Sequence, residues 1–369
     1  MGKWAVAMSG GVDSSVAAAL LAAEGHEVVG LTMNLWPQWL PEPDDAFKAC
    51  CGVSAIADAR AVARHLGIRH YVLNMREEFE QAVIGYFVDE YARGRTPNPC
   101  VACNQSIKFS LLLAKMTALG LDGIATGHYA RVAGEPRTGR RLLLRGRDPA
   151  KDQSYVLFGL TQEQLERLRL PIGEHTKDDV RRLARRFGLP VAEKPDSQEI
   201  CFVPRGTYVD VVARFRPEAL RPGPIMDTQG RQVGTHQGIA RYTVGQRRGL
   251  GMAAGTPRYV VAIDAARNTV VVGDEADLLC RSIAAAGMNW IAARPARPLR
   301  VTARVRHAAS DVPAVVDPGP GPDEADVIFD ESQRAAAPGQ AVTLYDGERV
   351  LGGGVIAAVR TATPVPAPA

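Results

Sequence analysis

"AMSGGVDSSV", residues 7–16, is the stretch on which the fold turns. Ahead of it, Lys3–Met8 (KWAVAM) is a short apolar run that reads as a buried strand. Behind it, Ser14–Glu24 (SSVAAALLAAE) reads as an Ala/Leu-rich helix ended by Gly25. A glycine-rich turn between strand and helix gathers backbone N–H groups that have no intrahelical partner at the positive end of a helix dipole. That is a seat for a phosphate. Gly10 and Gly11 let the backbone approach the anion closely. The loop holds no lysine. A Walker-type nucleoside triphosphatase loop needs Gly-Lys-Ser/Thr, and no such triplet follows a glycine-rich loop anywhere in the chain.

Outward from this loop the elements alternate. Glu27–Met33 and Arg69–Leu73 read as strands, and Gly123–Thr126 as a short one. Ser54–Leu66, Met75–Tyr91 and Asn104–Leu119 read as helices. This order predicts an α/β domain with a doubly wound parallel sheet, whose ligands bind where strands end in loops. Residues 214–230 (RFRPEALRPGPIMDTQG) are rich in Pro and Gly and read as a linker. Short strands follow (YVVAID, NTVVVG), then a Pro/Arg break at 293–300, then alternating strands from Val301 to Val359 that suggest a small β-barrel. The expected organisation is an α/β domain over 1–213, a small central β-rich domain over 214–280, a C-terminal β-barrel over 281–360 and a disordered tail over 361–369.

The 369 residues are 46% apolar and 23% charged, with a formal charge of +4, so a nucleic-acid partner is permitted but not demanded. No apolar run is long enough to span a membrane, and the start lacks a signal-peptide core. Six cysteines are too sparse for a secreted disulfide scaffold. The expectation is a cytoplasmic protein with reduced or reactive thiols, and no membrane partner.

The segment SGGVDSS resembles the pyrophosphate loop of the N-type ATP pyrophosphatases, which cleave ATP between the α and β phosphates and transfer AMP to an oxygen. The resemblance implies that ATP is held by Ala7, Met8, Ser9, Gly10, Gly11, Val12, Asp13 and Ser14, with Asp13 helping to hold Mg²⁺. The cysteines narrow the chemistry. "GRTPNPCVACNQSIKF" (94–109) puts Cys103 at the start of a helix, where the dipole favours the thiolate. "KPDSQEICFV" (194–203) carries Cys201.

These two stretches resemble motifs of the bacterial tRNA-specific 2-thiouridylases (tRNA-uridine 2-sulfurtransferases). So do ATGHYAR (125–131), KDQSYVL (151–157), HQGIARYTVGQRRGLG (236–251) and PGQAVTLYDGERVLGGGVI (338–356), in the same order. That family implies an ATP-dependent transferase that thiolates C2 of the wobble uridine, U34, of the Lys, Glu and Gln tRNAs and releases AMP and pyrophosphate. The residues suit such chemistry independently. The C2 oxygen leaves poorly until AMP is attached, and a cysteine persulfide delivers sulfur when a second thiolate splits its S–S bond. By resemblance Cys201 carries the persulfide, Cys103 is the nucleophile, and a Cys103–Cys201 disulfide closes the turnover. The sulfur would come from a donor such as a cysteine desulfurase or a sulfur-relay protein. The resemblance also implies that Met33 contacts adenine and that Gly127 lets its loop approach the nucleotide. It places His128, Lys151, Asp152, Gln153 and Gln340 against tRNA.

Some readings stay open. Many family members carry Asp where this chain has Cys100. Cys100, Cys103 and Cys201 could instead hold an iron–sulfur cluster. A metal-free relay is preferred, since two cysteines suffice for it. A Cys₄ site using Cys50, Cys51, Cys100 and Cys103 ranks below the thiol chemistry, and Cys280 reads as structural. Arg181, Arg182, Arg185 and Arg186 form a basic stripe that suits either phosphate contact or a solvated helix face. The alternative function is another ATP pyrophosphatase that ligates or amidates a small molecule; a third reading is a non-enzymatic binding protein with a decayed loop.

Overall fold

The computed structural model describes residues 1–40, 53–196, 200–203, 207–251, 256–306 and 309–361. The Cys50–Cys51 pair and residues 362–369 of the expected tail lie outside the described residues. The chain forms two compact units. The first holds residues 1–83, 102–206 and 348–350; the second holds 84–101, 207–347 and 351–369.

In the first unit β1 (Lys3–Ala7) runs into α1 (Val12–Ala23), then β2 (Glu27–Asn34), α2 (Val53–Leu66), β3 (Arg69–Asn74) and β4 (Gly123–Ala125). A two-residue strand, Leu168–Arg169, completes the sheet. The order is β3–β2–β1–β4–(168–169), and every pairing is parallel. Val6 of β1 lies opposite Gly30 of β2 on one side and Ala125 of β4 on the other. A strand buried on both faces must be apolar throughout, and Trp4, Ala5 and Val6 are all buried. α1 presents small residues, Ala17, Ala18 and Ala19, to a core that also holds Val180 and Ala184 of the helix Lys177–Arg186. The strand order reverses at β1, so the loops leaving β1 and β4 face one another across a topological switch point.

Two of the expected helices are not plain α-helices. The stretch over 76–92 contains a π-helical turn at Glu80–Gly85, and the stretch over 99–118 is π-helical from Cys103 to Leu112. Such turns often occur at functional sites. A hairpin, Ala130–Gly134 with Arg141–Arg145, was not expected; its second strand also pairs with Arg349 and Val350. Its arginines hide the alternation that would mark it as strand. Arg131 pairs with Glu174 and Glu348, and Arg145 with Asp152, so these charges are met at home.

The second unit corrects the expected linker. Residues 214–230 include the end of the helix Tyr208–Phe215, a 3₁₀ turn over Pro217–Leu220 and the strand Gly223–Asp227. Pro217 opens the turn, where its missing N–H costs nothing. Ile225 is fully buried between Val270 on one neighbour and Gly234 on the other. The resulting four-stranded sheet runs Tyr259–Asp264, Thr269–Gly273, Gly223–Asp227, Gln232–His236.

Six antiparallel strands then close a barrel: Leu279–Trp290, Leu299–Arg304, Val312–Pro318, Glu324–Arg334, Ala341–Asp346 and Arg349–Thr361. It is closed because the first strand pairs with both the fourth and the sixth. Alternate residues, such as Val301, Ala303 and Val305, fill it. Cys280 is buried in this core, where burial pushes its thiol pKa up, as a structural cysteine requires. The motif segment 94–101 is tied into this unit. Thr96 N–H donates to the Pro338 carbonyl at 2.8 Å, and Gln340 Nε2 donates to the Thr96 carbonyl at 2.9 Å. Among the described residues no helix is long and apolar enough to cross a membrane.

Candidate active site

The loop after β1 is held by its own serines. Ser9 N–H donates to Ser14 Oγ at 3.1 Å, and Ser14 and Ser15 hydroxyls donate to the Gly11 carbonyl at 3.2 and 2.8 Å. Gly10 sits at φ +67°, and a side chain there would strike the Ala55 backbone. α1 begins at Val12, two residues earlier than expected, with Gly11 as its cap and no side-chain cap bond. The first N–H groups of the helix therefore remain available to an anion. Gly127, after β4, packs on this turn: a Cβ there would lie 2.5 Å from Ser14 N and 2.6 Å from the Asp13 carbonyl carbon.

Asp13 is the centre of a charged cluster that the sequence did not reveal. Its Oδ1 accepts from Tyr129 OH at 2.7 Å, and Lys177 Nζ lies 2.8 and 2.9 Å from its two oxygens. Lys177 also pairs with Asp196 at 2.6 Å, and Asp196 takes Lys151 at 2.8 Å. Burial pushes the Asp196 carboxyl up, but hydrogen bonds from Lys151 and Lys177 outweigh it and hold its pKa below the ordinary value. Burial and the neighbouring Asp13 raise the Tyr129 phenol, so it stays a neutral donor. Lys194 Nζ reaches the Gly10 carbonyl at 3.0 Å and Asp58 at 2.5 Å. The lysines absent from the loop thus arrive from downstream segments. The one sequence signal was the capping box that starts the helix at Thr176; nothing in the spacing aims Lys177 at a residue 164 positions away.

The other expected contacts have local partners. Met33 is buried near the end of β2, beside Thr32, whose hydroxyl donates to the Met8 carbonyl at 2.9 Å. His128 is buried, bonded to Thr126 Oγ1 at 2.7 Å and against Phe109; burial lowers its pKa well below the ordinary imidazole value. Gln153 Oε1 accepts from Tyr129 N–H at 2.9 Å, and its own N–H donates to the Tyr129 carbonyl at 2.8 Å. Lys151 faces Asp196. Of the basic stripe, Arg181 bonds the Ala192 carbonyl, Arg182 pairs with Asp179 and Arg185 with Glu193, so three of its four charges are engaged within the unit.

Asp152 accepts from Gly146 N–H at 3.0 Å, from Ser154 N–H at 3.1 Å and from Ser154 Oγ at 3.0 Å, with Arg145 at 3.4 Å. Its side chain is 3% exposed. Asp152→Ala removes the buried acceptor of the Gly146 and Ser154 N–H groups and one partner of the half-buried Arg145, so it should lower stability by about 1–3 kcal/mol. Urea unfolding measures that loss. The same variant should leave the salt dependence of RNA binding unchanged, because the side chain presents no surface to a phosphate.

Cys103 is half-buried and is the first residue of the π-helical stretch. Cys201 is also half-buried; the next residue, Phe202, is buried with its ring edge-on to Phe79 at 5.9 Å. Both cysteines belong to the first unit. Cys100 is exposed, and its N–H and that of Val101 donate to Asn98 Oδ1 at 3.1 and 3.3 Å. Among the described residues no three His, Cys, Asp or Glu side chains gather as a metal-binding group.

Comparison with known proteins covers the whole organisation. Three domain models match in sequence: the tRNA methyl transferase HUP domain over residues 2–205, the tRNA methyl transferase PRC-barrel domain over 209–274 and the aminomethyltransferase beta-barrel domain over 280–356. A tRNA-specific 2-thiouridylase of Moorella thermoacetica is 53% identical over 356 residues, covering 96% of this chain and 99% of its own. One from Carboxydothermus hydrogenoformans is 51% identical over 96% and 97% of the two chains. One from Geobacter metallireducens is 51% identical at the same coverage. With a pyrophosphate-type loop at the switch point and identity above one half along nearly its full length, this chain belongs to the tRNA-specific 2-thiouridylase family.

Proposed function

We propose that the protein catalyses ATP-dependent 2-thiolation of the wobble uridine of tRNA, with Cys201 as persulfide carrier and Cys103 as the thiol that frees the product. The observation that carries this reading is one unit holding both a lysine-free phosphate loop at the switch point and the two half-buried cysteines. Uridine O2 attacks the α-phosphorus of ATP and pyrophosphate leaves. The terminal sulfur of the Cys201 persulfide attacks C2 and AMP leaves with the oxygen. The Cys103 thiolate attacks Cys201 Sγ, the C2-bound sulfur departs as the thiocarbonyl, and a Cys103–Cys201 disulfide remains. A thiol reductant supplies the two electrons that restore the enzyme.

Asp13, whose two oxygens here carry the Lys177 ammonium, would help hold a Mg²⁺ that takes its remaining ligands from phosphate and water once that ammonium is displaced. Bound there, the ion would neutralise charge on the departing pyrophosphate. The Lys, Glu and Gln tRNAs are the substrates that the family likeness supports, and a desulfurase or sulfur-relay protein is the donor. The cytoplasm, where the thiols stay reduced, is where this chemistry fits.

The test is incubation with ATP, a persulfide source and unmodified tRNA, followed by nucleoside mass spectrometry and chromatography of the spent nucleotide. The expected products are 2-thiouridine, AMP and pyrophosphate. ADP as the tRNA-dependent product, or transfer of a methyl group from S-adenosylmethionine to tRNA in place of sulfur, would overturn the assignment.

A further inference from the structure

We propose that Lys177 is the lysine this phosphate loop lacks: it binds the β- and γ-phosphates of ATP, the pyrophosphate that leaves, and Asp196 positions it. The inference rests on the function proposed above and adds a residue to it. A departing pyrophosphate carries several negative charges, and backbone N–H groups supply only partial positive charge to meet them. Beside the Mg²⁺ assigned above, the rest of that charge would be met by a side-chain cation at the loop. Lys177 and Lys194 reach it. Lys194 spends its ammonium on the Gly10 carbonyl and on Asp58, which ties the turn to α2. Lys177 instead meets the carboxylate of Asp13, on the first turn of α1, where an anion bound at the helix N-terminus would lie.

Its placement is over-determined. The backbone N–H of Lys177 donates to Asp148 Oδ2 at 2.9 Å, and its ammonium lies between Asp13 and Asp196 with the side chain 11% exposed. Asp196 has two further cationic neighbours, Lys151 at 2.8 Å and Arg181 at 3.6 Å. Removing the Lys177 charge therefore leaves Asp196 paired and leaves Asp13 its bond from Tyr129. An ammonium has three donors that can be redistributed, so a phosphate oxygen can take one while Asp196 keeps another.

The test separates the phosphates from the rest of the nucleotide. Binding of pyrophosphate and of AMP is measured by calorimetry on the wild type, Lys177→Met and Lys177→Arg, with thermal melts confirming that each variant is folded. Lys177→Met should weaken pyrophosphate binding about tenfold to a hundredfold, the loss expected for a hydrogen bond to a charged group. The KM for ATP should rise in step, and AMP binding should stay within about twofold. Lys177→Arg should recover most of the pyrophosphate affinity. Wild-type pyrophosphate affinity in Lys177→Met overturns the proposal. Equal weakening of pyrophosphate and AMP overturns it too, because that is the signature of a collapsed loop. If the wild type itself binds neither ATP nor pyrophosphate, the proposed function falls first and this inference with it.

Discussion

Serine at either Cys103 or Cys201 should abolish 2-thiouridine formation, by about a thousandfold or more, as expected when one half of a covalent relay is removed. A serine hydroxyl cannot carry a persulfide, which removes the Cys201 step. Nor can it attack a disulfide sulfur at neutral pH, which removes the Cys103 step. The two losses should not add. The double variant should be no worse than either single one, because each alone already breaks the chain of transfer. Neither cysteine belongs to the loop after β1, so tRNA-dependent AMP formation should persist in part, which separates loss of sulfur chemistry from loss of folding. Labelled persulfide on the protein gives a second readout. Cys103→Ser should retain the label on Cys201, whereas Cys201→Ser should not hold it. A single variant that still makes 2-thiouridine at the wild-type rate removes that cysteine from the mechanism. Cys100→Ser is the informative companion: substantial activity supports the two-cysteine relay, whereas loss together with stoichiometric iron in anaerobically purified protein favours the cluster.

Gly127→Ala should weaken ATP binding by about 5- to 150-fold, although Gly127 lies on a different loop from the phosphate seat. The added methyl would meet backbone, Ser14 N and the Asp13 carbonyl carbon, rather than the end of a movable side chain. Forcing a methyl into a closed contact costs about 1–3 kcal/mol, and here the only relief is to push the first turn of α1 away from β4. That turn carries both the N–H groups offered to phosphate and Asp13. Gly134→Ala is the control, since its methyl would find only the end of the Arg141 side chain at 3.8 Å. Calorimetric ATP affinities of the two variants check the expectation. A wild-type affinity for Gly127→Ala would show that the loops separate without consequence for nucleotide.

The sequence by itself determined the parallel sheet and the glycine-rich turn that leads from its first strand into a helix. These are local facts: a strand, a glycine-rich turn and an alanine-rich helix are set by neighbours in the chain, and Lys3–Ala7 and Val12–Ala23 appear within two residues of where the pattern puts them. The alternating barrel strands were legible for the same reason, because a strand with one face inside must alternate. The supposed linker at 214–230 misled because Pro and Gly mark turns as readily as they mark a short strand between them. The hairpin over 130–145 was hidden because Arg131 in it finds acids that are distant in sequence, Glu174 and Glu348. The charges of the site were hidden by the same kind of distance. Asp13 was visible, but Lys177 meets it only because α1 and the helix Lys177–Arg186 pack together through Val16, Val180 and Ala184. Asp152 stood in a motif expected to touch tRNA, and only the fold shows its carboxylate bonded to Gly146 and Ser154. Side-chain pairing across more than a hundred residues leaves no periodic trace in a sequence; it exists only once the packed helices and the sheet have fixed which side chains share a space.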